Sequence, residues 1–254
     1  MPSSDQTNIT QLDELRRLCA RCSLRHLCLP AGLSGEQVDT LERHVQKRRP
    51  IQAGNHLIHA GQPSRAIYVV RNGAFKSYEL LENGDRQIVG LHLPGELFGL
   101  DALAGDYYRL SAEALETSTI CALPLDDFHR TAREVPDVTR RIMTTVSREL
   151  LGAAENHSLL ARRSALERVA SFLHRYAQRL DRAGRNAYSF ELALSRQELA
   201  NFLGLQLETV SRAFSRLREA GIINAERRLV EILSSDGLAR AAGIQDQPDS
   251  CHNA

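Results

Sequence analysis

Four cysteines are the residues of this sequence whose type and spacing could do chemistry. Three of them lie within ten residues, Cys19, Cys22 and Cys28, and the fourth, Cys121, follows after 92 intervening residues. Thiolate sulfur is a soft ligand that favours zinc or an iron-sulfur cluster, and four thiolates complete an all-sulfur shell around either. The spacing therefore predicts a metal centre that ties an N-terminal segment to a remote domain.

Disulfide bonds and unliganded thiols are the alternatives to a metal centre. Residues 1–9 are polar and lack the apolar stretch of a secretory signal, so a cytoplasmic location with reduced thiols is expected. Spacing alone does not choose between zinc and iron. Structural zinc sites usually have two pairs of ligands, with the two members of each pair close in sequence. Three clustered cysteines and one distant cysteine are more typical of an iron-sulfur cluster. Cys251 lies in a polar tail and fits neither set.

The composition is that of a soluble globular protein, with 254 residues, 43% of them hydrophobic and 25% charged. No apolar run approaches the length of a membrane span. The formal charge of +1 is unevenly distributed, because 162–228 contains 13 Lys or Arg against 7 Asp or Glu, a balance of +6 that leaves −5 for the remainder. We therefore expect only the C-terminal part to meet a polyanion.

The elements that must position the cysteines begin with a short helix, for which Ser34 is a candidate N-cap. From Pro50 onward, glycines punctuate short runs of alternating apolar and polar residues, and Asn83-Gly84 is a strong hairpin turn. Many short strands at regular spacing predict a β-roll or jelly-roll barrel. Cys121 falls on a strand near the end of this roll, which would make it a rigidly mounted ligand.

A long helix is predicted after the roll, from Asp137 to about Arg163, because that stretch lacks proline and carries an apolar stripe. A second copy of the same helix would cover the stripe in a twofold dimer. The alternative is that the stripe packs on the roll of its own chain. The expected dimer contacts are Ile142, Val146, Leu150, Ala153 and Leu160.

Two short helices nearer the C-terminus have the pattern of a helix-turn-helix. Ser195 and Glu198 form a capping box at the start of the first, and Gly204 permits the tight turn before the second, which runs from Leu207 to Gly221. Two apolar runs behind them, 222–225 and 229–233, predict a two-stranded wing with a basic tip.

Glu208, Ser211 and Arg212 share one face on the first turns of the second helix. In a helix-turn-helix this face meets base edges in the major groove, where arginine can donate two hydrogen bonds to guanine and glutamate can accept one from cytosine. The alternative is a solvated charged face with an i,i+4 pair between Glu208 and Arg212. The expected contacts with the DNA backbone are Arg196, Gln197, Thr209, Arg216 and Arg218.

With the four cysteines, the glycine-punctuated roll, the long helix and the motif Leu-Glu-Thr-Val-Ser-Arg at 207–212, the chain resembles the CRP/FNR family of bacterial transcription regulators. Within that family it is similar to the oxygen-sensing FNR/ANR branch, over about 18–243. The resemblance implies an α+β fold with an N-terminal cyclic-nucleotide-binding-like β-roll (jelly roll), a long dimerisation helix and a C-terminal winged helix-turn-helix.

The resemblance also implies a 4Fe-4S cluster that is bound by Cys19, Cys22, Cys28 and Cys121. It implies a homodimer that binds double-stranded DNA at a palindromic operator with TTGAT-like half-sites. Surface loops of the roll, one of them near 82–86, are expected to contact RNA polymerase. Cluster assembly would favour the dimer, and oxygen would convert the cluster to a 2Fe-2S form and move the equilibrium toward monomers.

The sequence departs from the family pattern at two places. Members that bind cyclic nucleotides hold the phosphate with a Glu and an adjacent Arg-Ser pair, but here Leu110 separates Arg109 from Ser111, so no cyclic nucleotide is expected. Gln206 stands where FNR-like proteins usually have Thr, and glutamine caps a helix poorly. The base-reading residues are unaltered.

The expected domains are a cysteine-rich cluster-binding segment at 1–29, a β-roll sensor domain at 30–135, a dimerisation helix at 136–163, a winged helix-turn-helix DNA-binding domain at 164–243 and a polar tail at 244–254. The predicted function is an oxygen-responsive regulator, mainly an activator under anaerobic conditions. The alternative keeps DNA binding but has a zinc-stabilised or small-molecule-responsive sensor. A cupin-type enzyme is not expected, because the roll has no clustered His/Glu metal set and His92 and His129 are scattered.

Overall fold

The structure is a computed structural model that describes residues 19, 21–47, 49–147 and 164–244. The chain divides into two compact units, one at 1–152 and the other at 153–254. The strands of the first unit are β1 Gln46–Lys47, β2 His56–Ile58, β3 Ala66–Asn72, β4 Phe75–Leu80, β5 Arg86–His92, β6 Leu97–Phe98, β7 Ser111–Ala114 and β8 Thr119–Pro124. Its helices are α1 Gly35–His44, α2 Leu125–Glu134 and α3 at 136–147, and Leu100–Leu103 forms a 3-10 helix.

Two antiparallel sheets form the roll, in the strand orders β1-β8-β3-β6 and β2-β7-β4-β5. Both sheets contribute side chains to one core, in which Phe75 of β4 stacks on Phe98 of β6 with the ring centroids 4.9 Å apart. The predicted hairpin turn joins β4 to β5, and Gly84 there has a φ of +84°, which glycine adopts without strain. The predicted β-roll is confirmed.

α1 begins at the predicted N-cap. The Ser34 hydroxyl accepts a hydrogen bond from the backbone N–H of Gln37, and the Gln37 side chain accepts one from the backbone N–H of Ser34. At the other end of α1, the ring nitrogens of His44 lie 3.4 Å from a carboxylate oxygen of Asp127 and 3.7 Å from one of Glu134. Both carboxylates belong to α2, so His44 holds the two helices together.

α3 departs in part from the prediction for the long helix. Ile142 is 1% exposed and belongs to the core of its own roll, as does Val138. Ile142 therefore packs within its own chain, as the alternative has it for this part of the stripe, and its contact with a second copy stays a prediction. Val146 is partly buried against the same core, so its dimer contact stays a prediction. The remaining predicted dimer contacts, Leu150, Ala153 and Leu160, lie outside the described residues.

The second unit consists of α4 Ala165–Arg182, β9 Ser189–Glu191, α5 Arg196–Leu203, α6 Leu207–Glu219, β10 Ile223–Glu226, β11 Leu229–Ile232 and α7 Ser235–Ala241. Its sheet has the order β10-β11-β9, and Phe190 of β9 lies opposite Val230 of β11 with both side chains buried. The prediction of a two-stranded wing therefore missed a third strand, β9. β9 could not be predicted because it is three residues long and pairs with a strand that follows both helices of the helix-turn-helix.

In the part of the chain that the structure describes, no helix combines the length and the apolar character needed to cross a bilayer.

Candidate metal centre and nucleic-acid interface

Cys121 is mounted on a central strand of the roll. β8 pairs with β3 on one side and with β1 on the other, and Cys121 lies opposite Val69 in the first pair and opposite Lys47 in the second. Because side chains alternate along a strand, Cys121 points to the opposite face of the sheet from the buried Ile120 and Ala122. The thiol is thus held by hydrogen-bonded backbone on both flanks.

The other three cysteines lie on a segment, residues 19–28, that is folded into successive turns. The backbone N–H of Cys22 donates to the carbonyl of Cys19 at 3.2 Å, and the N–H of Cys28 donates to the carbonyl of Leu24 at 3.1 Å. The buried side chains of Leu24 and Leu29 anchor the segment, and Leu29 belongs to the core of the roll. Local turns and two apolar anchors therefore shape the cysteine segment.

α1 holds the beginning of this segment. The backbone N–H of Cys19 donates a hydrogen bond of 3.0 Å to a carboxylate oxygen of Glu42. The side chains of Leu41 and Val45, also from this part of the chain, line the same cavity as the cysteines. The cysteine segment is thus enclosed between α1 and the face of the sheet that carries Cys121.

All four predicted ligands meet in one cavity. Its lining includes Cys19, Cys22, Cys28 and Cys121, and its empty volume is about 470 Å³, a figure that includes space open to solvent. The four thiols are free, with no disulfide among them. The floor of the cavity is formed by residues at alternate positions of β3, namely Ile67, Val69 and Arg71. The fold therefore brings together the thiols that the sequence placed 92 residues apart.

Burial favours the protonated form of three of these thiols, Cys19, Cys28 and Cys121. It raises the pKa of Cys19 from 9.0 to about 12, and negative charge on the nearby Cys121 and Glu42 side chains would raise it further. Burial also raises the pKa of Cys28 and that of Cys121. Since a metal binds the thiolate, ligation would release a proton from each of these three groups, and the positive charge of the metal would stabilise the thiolates.

The chemistry of the donor set suits a soft metal centre. Within the described residues, no group of three or more His, Cys, Asp or Glu side chains is arranged to hold a single metal ion. Four thiolates can complete the shell of one zinc ion, and they can equally bind the iron atoms of an iron-sulfur cluster. Four thiols lining one cavity therefore fit a centre of either kind.

Two arginines beside the cysteines were missed by the sequence reasoning. Arg25 and Arg71 line the cavity, and the positive charge of Arg71 lowers the pKa of both Cys19 and Cys121, against the larger effect of burial. Alternation along β3 would place Arg71 on one face with Val69. Only the pairing of β3 with β8 reveals that this is the face of Cys121, and that pairing is not readable from the local pattern.

The loop that could hold a nucleotide phosphate is occupied by the chain's own groups. A carboxylate oxygen of Asp101 accepts hydrogen bonds from the backbone N–H groups of Arg109, at 2.8 Å, and Leu110, at 3.1 Å. The Ser111 hydroxyl accepts from the backbone N–H of Ala60 at 3.0 Å. An internal carboxylate therefore already engages amide donors of the kind that bind a phosphate.

The helix-turn-helix has the predicted local geometry. Ser195 and Glu198 form the capping box at the start of α5, and Gly204 ends that helix in a left-handed conformation with a φ of +62°. α6 begins after Gln206, whose side chain makes no capping hydrogen bond, as predicted. Buried Val210 and Leu199 join the facing sides of the two helices to one apolar interior.

The predicted base-reading residues lie on the exposed side of α6. Glu208, Ser211 and Arg212 are exposed, and the Ser211 hydroxyl donates to the carbonyl of Leu207 at 3.0 Å. Among the predicted backbone contacts, Gln197, Arg216 and Arg218 are exposed and Thr209 is half-buried. The positions suit contact with a duplex, and the individual roles stay predictions.

Arg196 has an environment that differs from that of a free surface cation. Its guanidinium carbon lies 3.6 Å from the centre of the Phe214 ring, a cation–π contact between α5 and α6. Burial lowers the pKa of Arg196 from 12.5 to about 10, and Nη1 is buried with no acceptor among the described residues. Arg196 thus joins the two helices, and its predicted phosphate contact stays a prediction.

Two family models match the chain. A cyclic nucleotide-binding domain matches residues 48–134, and a Crp-like helix-turn-helix domain matches residues 167–241. The chain is 40% identical over 227 residues to the transcriptional activator protein anr of Pseudomonas aeruginosa, which covers 89% of this chain and 93% of that protein. It is 35% identical over 229 residues to the fumarate and nitrate reduction regulatory protein of Vibrio cholerae, which covers 90% of this chain and 92% of that protein.

Among solved structures, the chain is similar to FixK2 from Bradyrhizobium japonicum, with a TM-score of 0.70 and 32% identity over 78% of this chain and 96% of that one. The first of the two relatives is named as a transcriptional activator and the second as a regulatory protein.

Proposed function

Because the chain belongs to the CRP/FNR family of transcription regulators, we propose that it is an oxygen-responsive regulator, mainly an activator under anaerobic conditions, whose sensor is a 4Fe-4S cluster. Cys19, Cys22, Cys28 and Cys121 would hold the cluster. The observation that carries the proposal is that these four thiols line one cavity although 92 residues separate the third from the fourth.

A bound cluster would supply an oxygen-labile tie between β8 and the cysteine segment. The residues of the chain determine what that tie does. Glu42 and the two leucine anchors already hold the segment, and bonds from the cluster to its three cysteines and to Cys121 would additionally fix it against the sheet. Loss of these bonds would free the segment, and the effect on any coupled equilibrium is limited to the difference in cluster affinity between the two states.

The coupled equilibrium that we propose is dimerisation through the helix at 136–163. A homodimer would present two copies of α6 to successive major grooves of a palindromic operator with TTGAT-like half-sites. In each half-site, Arg212 and Glu208 would read base edges, and exposed cations such as Arg216 and Arg218 would contact phosphates. A monomer would lose the second half-site and most of the affinity for the operator.

The loop around Asp101 supports a regulator without a nucleotide effector. The carboxylate of Asp101 accepts hydrogen bonds from the backbone N–H groups of Arg109 and Leu110, so we propose that the roll does not use a cyclic nucleotide.

The hairpin turn at 82–86 is exposed at the surface and leads into β5. We propose it as one contact with RNA polymerase.

The test is to purify the protein without oxygen, to record its absorbance and its iron and sulfide content, and to measure its affinity for a palindromic TTGAT-like site before and after exposure to air. We expect about four iron and four sulfide per chain, as the 4Fe-4S composition requires. We also expect the affinity to fall in air. Iron-free protein, or equal affinity before and after aeration, would contradict the sensor assignment.

The second candidate is a DNA-binding regulator with a zinc-stabilised or small-molecule-responsive sensor. Stoichiometric zinc in a colourless preparation would favour it, and so would an unchanged response to oxygen after Cys121→Ala.

A further inference from the structure

Arg141 of α3 reaches back to the cysteine segment. Its Nη2 donates a hydrogen bond of 2.6 Å to the carbonyl oxygen of Leu27, in a partly buried position. The carbonyl of Leu27 belongs to the same planar peptide unit as the backbone nitrogen of Cys28. A rotation that moves Cys28 toward or away from a bound metal centre would therefore move the partner of Arg141.

The surroundings leave this contact little freedom to adjust. A Cβ atom added at Gly95 would lie 3.1 Å from the Cβ of Leu27. The Leu27 side chain therefore already packs against the connection between β5 and β6. Next to Arg141, Ile142 is 1% exposed and fixed in the core of the roll. A displaced Leu27 carbonyl would thus either break the hydrogen bond or pull on a helix that is anchored one residue away.

The guanidinium also has an unused donor. Nε of Arg141 is buried and has no acceptor among the described residues. Buried donors without partners are rare in folded proteins, and this one gives the guanidinium a donor for a second hydrogen-bonding arrangement if ligation of Cys28 shifts the Leu27 peptide. Two discrete arrangements at one contact are what a switch requires.

We propose that Arg141 is a positioning residue that transmits the ligation state of Cys28 to α3 through the Leu27 carbonyl. The proposal rests on the proposed function, because it needs a centre whose assembly changes the cysteine segment. α3 begins the stretch that we propose as the dimerisation helix, so a contact that biases α3 would bias dimerisation.

The experiment compares Arg141→Met with wild type and with Arg140→Met as the matched control. Arg140 neighbours Arg141 on α3, but its side chain is 78% exposed and its ionic partner is Asp137 on the same helix. Both variants remove one positive charge from α3, and only Arg141→Met removes the donor to the cysteine segment. Iron and sulfide content, cluster absorbance and the dimer dissociation constant by sedimentation are measured for each protein without oxygen and after aeration.

We expect the three proteins to bind equal amounts of iron and sulfide, because all four cysteines are intact. The aeration-induced change in the dimer dissociation constant should fall by about fivefold or more in Arg141→Met, the lower range of a typical coupling, and should stay as in wild type in Arg140→Met. Arg141→Lys, which keeps a donor, should recover part of the change.

An unchanged response in Arg141→Met would overturn the proposal. A cluster-free or unfolded Arg141→Met would overturn it too, since Arg141 would then build the site instead of reporting on it. A wild-type protein with no cluster, or with a dimer indifferent to air, would refute the proposed function itself, and the two failures are therefore distinguishable.

Discussion

Cys121 lies directly opposite Val69 in the antiparallel β3–β8 pair, in the middle of a four-stranded sheet. The neighbouring strand β1 pairs with the other edge of β8, so the backbone on both sides of Cys121 is hydrogen-bonded. The three other thiols lie on a segment of turns that is pinned at a few points. One thiol is therefore mounted on a strand and three on a segment of turns, and the proposed centre would link the two.

Replacing the fixed ligand should abolish the centre. We expect Cys121→Ser to lose the iron and the cluster absorbance, and to bind the operator equally with and without air, because the three remaining thiols have no anchor on the sheet. Iron and sulfide analysis of anaerobic protein measures the first effect, and binding-shift assays measure the second. Cys251→Ser is the control and should behave as wild type. Stoichiometric iron in Cys121→Ser would show that a different residue completes the ligand set.

The cluster-free protein should lose stability in alkaline solution. The pKa of Cys19 is raised from 9.0 to about 12 by burial, so below pH 9 the thiol is protonated in both the folded and the unfolded chain. As the pH rises above 9, the unfolded chain releases the proton first and the folded state is progressively disfavoured. The urea midpoint, measured under reducing conditions, should therefore fall as the pH rises from 9 toward 12.

Cys19→Ala provides the reference for that measurement, because other groups also titrate at alkaline pH. The midpoint of the variant should fall less steeply than that of wild type. Parallel slopes for the two proteins would mean that Cys19 is not protonated in the folded state over this range.

Arg212 should contribute sequence preference to DNA binding. Arg212→Ala is expected to cost about 1–3 kcal/mol of binding free energy and to flatten the preference at one base pair of each half-site. Arg216→Ala, on the same helix, should instead weaken binding to all sequences alike and reduce its salt dependence. Titrations against a set of operators with single base-pair changes separate the two patterns. Uniform weakening by Arg212→Ala would remove it from the base-reading set.

Arg196 should act mainly inside the helix-turn-helix. The contact between its guanidinium and Phe214 predicts that Arg196→Met lowers the free energy of unfolding by about 0.5–2 kcal/mol. If packing is its whole role, the slope of log affinity against log salt stays unchanged. If Arg196 also contacts a phosphate, that slope falls by about 1. Thermal unfolding and salt titrations of Arg196→Met, with Gln197→Ala as the exposed neighbouring control, decide between the two roles.

Features that depend on a few adjacent residues were predictable. The N-cap at Ser34, the capping box at Ser195 and the hairpin turn at Asn83-Gly84 occur as expected, because each is a hydrogen-bonded or left-handed arrangement set by local residue types. Two features that depend on residues distant in sequence were not predictable. β9 pairs with β11, a strand that follows both helices of the helix-turn-helix, and Ile142 has helical apolar spacing that suits its own core as well as a dimer.

The sequence by itself determined which chemistry the protein can do. Four thiols and an exposed Glu-Ser-Arg face on a helix are set by residue identity and short spacings, and both survive in the structure. The tertiary structure decided what surrounds them. Arg71 lies beside Cys121 because of the β3–β8 register, and Arg141 meets Leu27 because α3 packs on the roll. These two contacts join residues 50 and 114 positions apart. No local pattern encodes them, because strand register and helix docking are properties of the whole packed core.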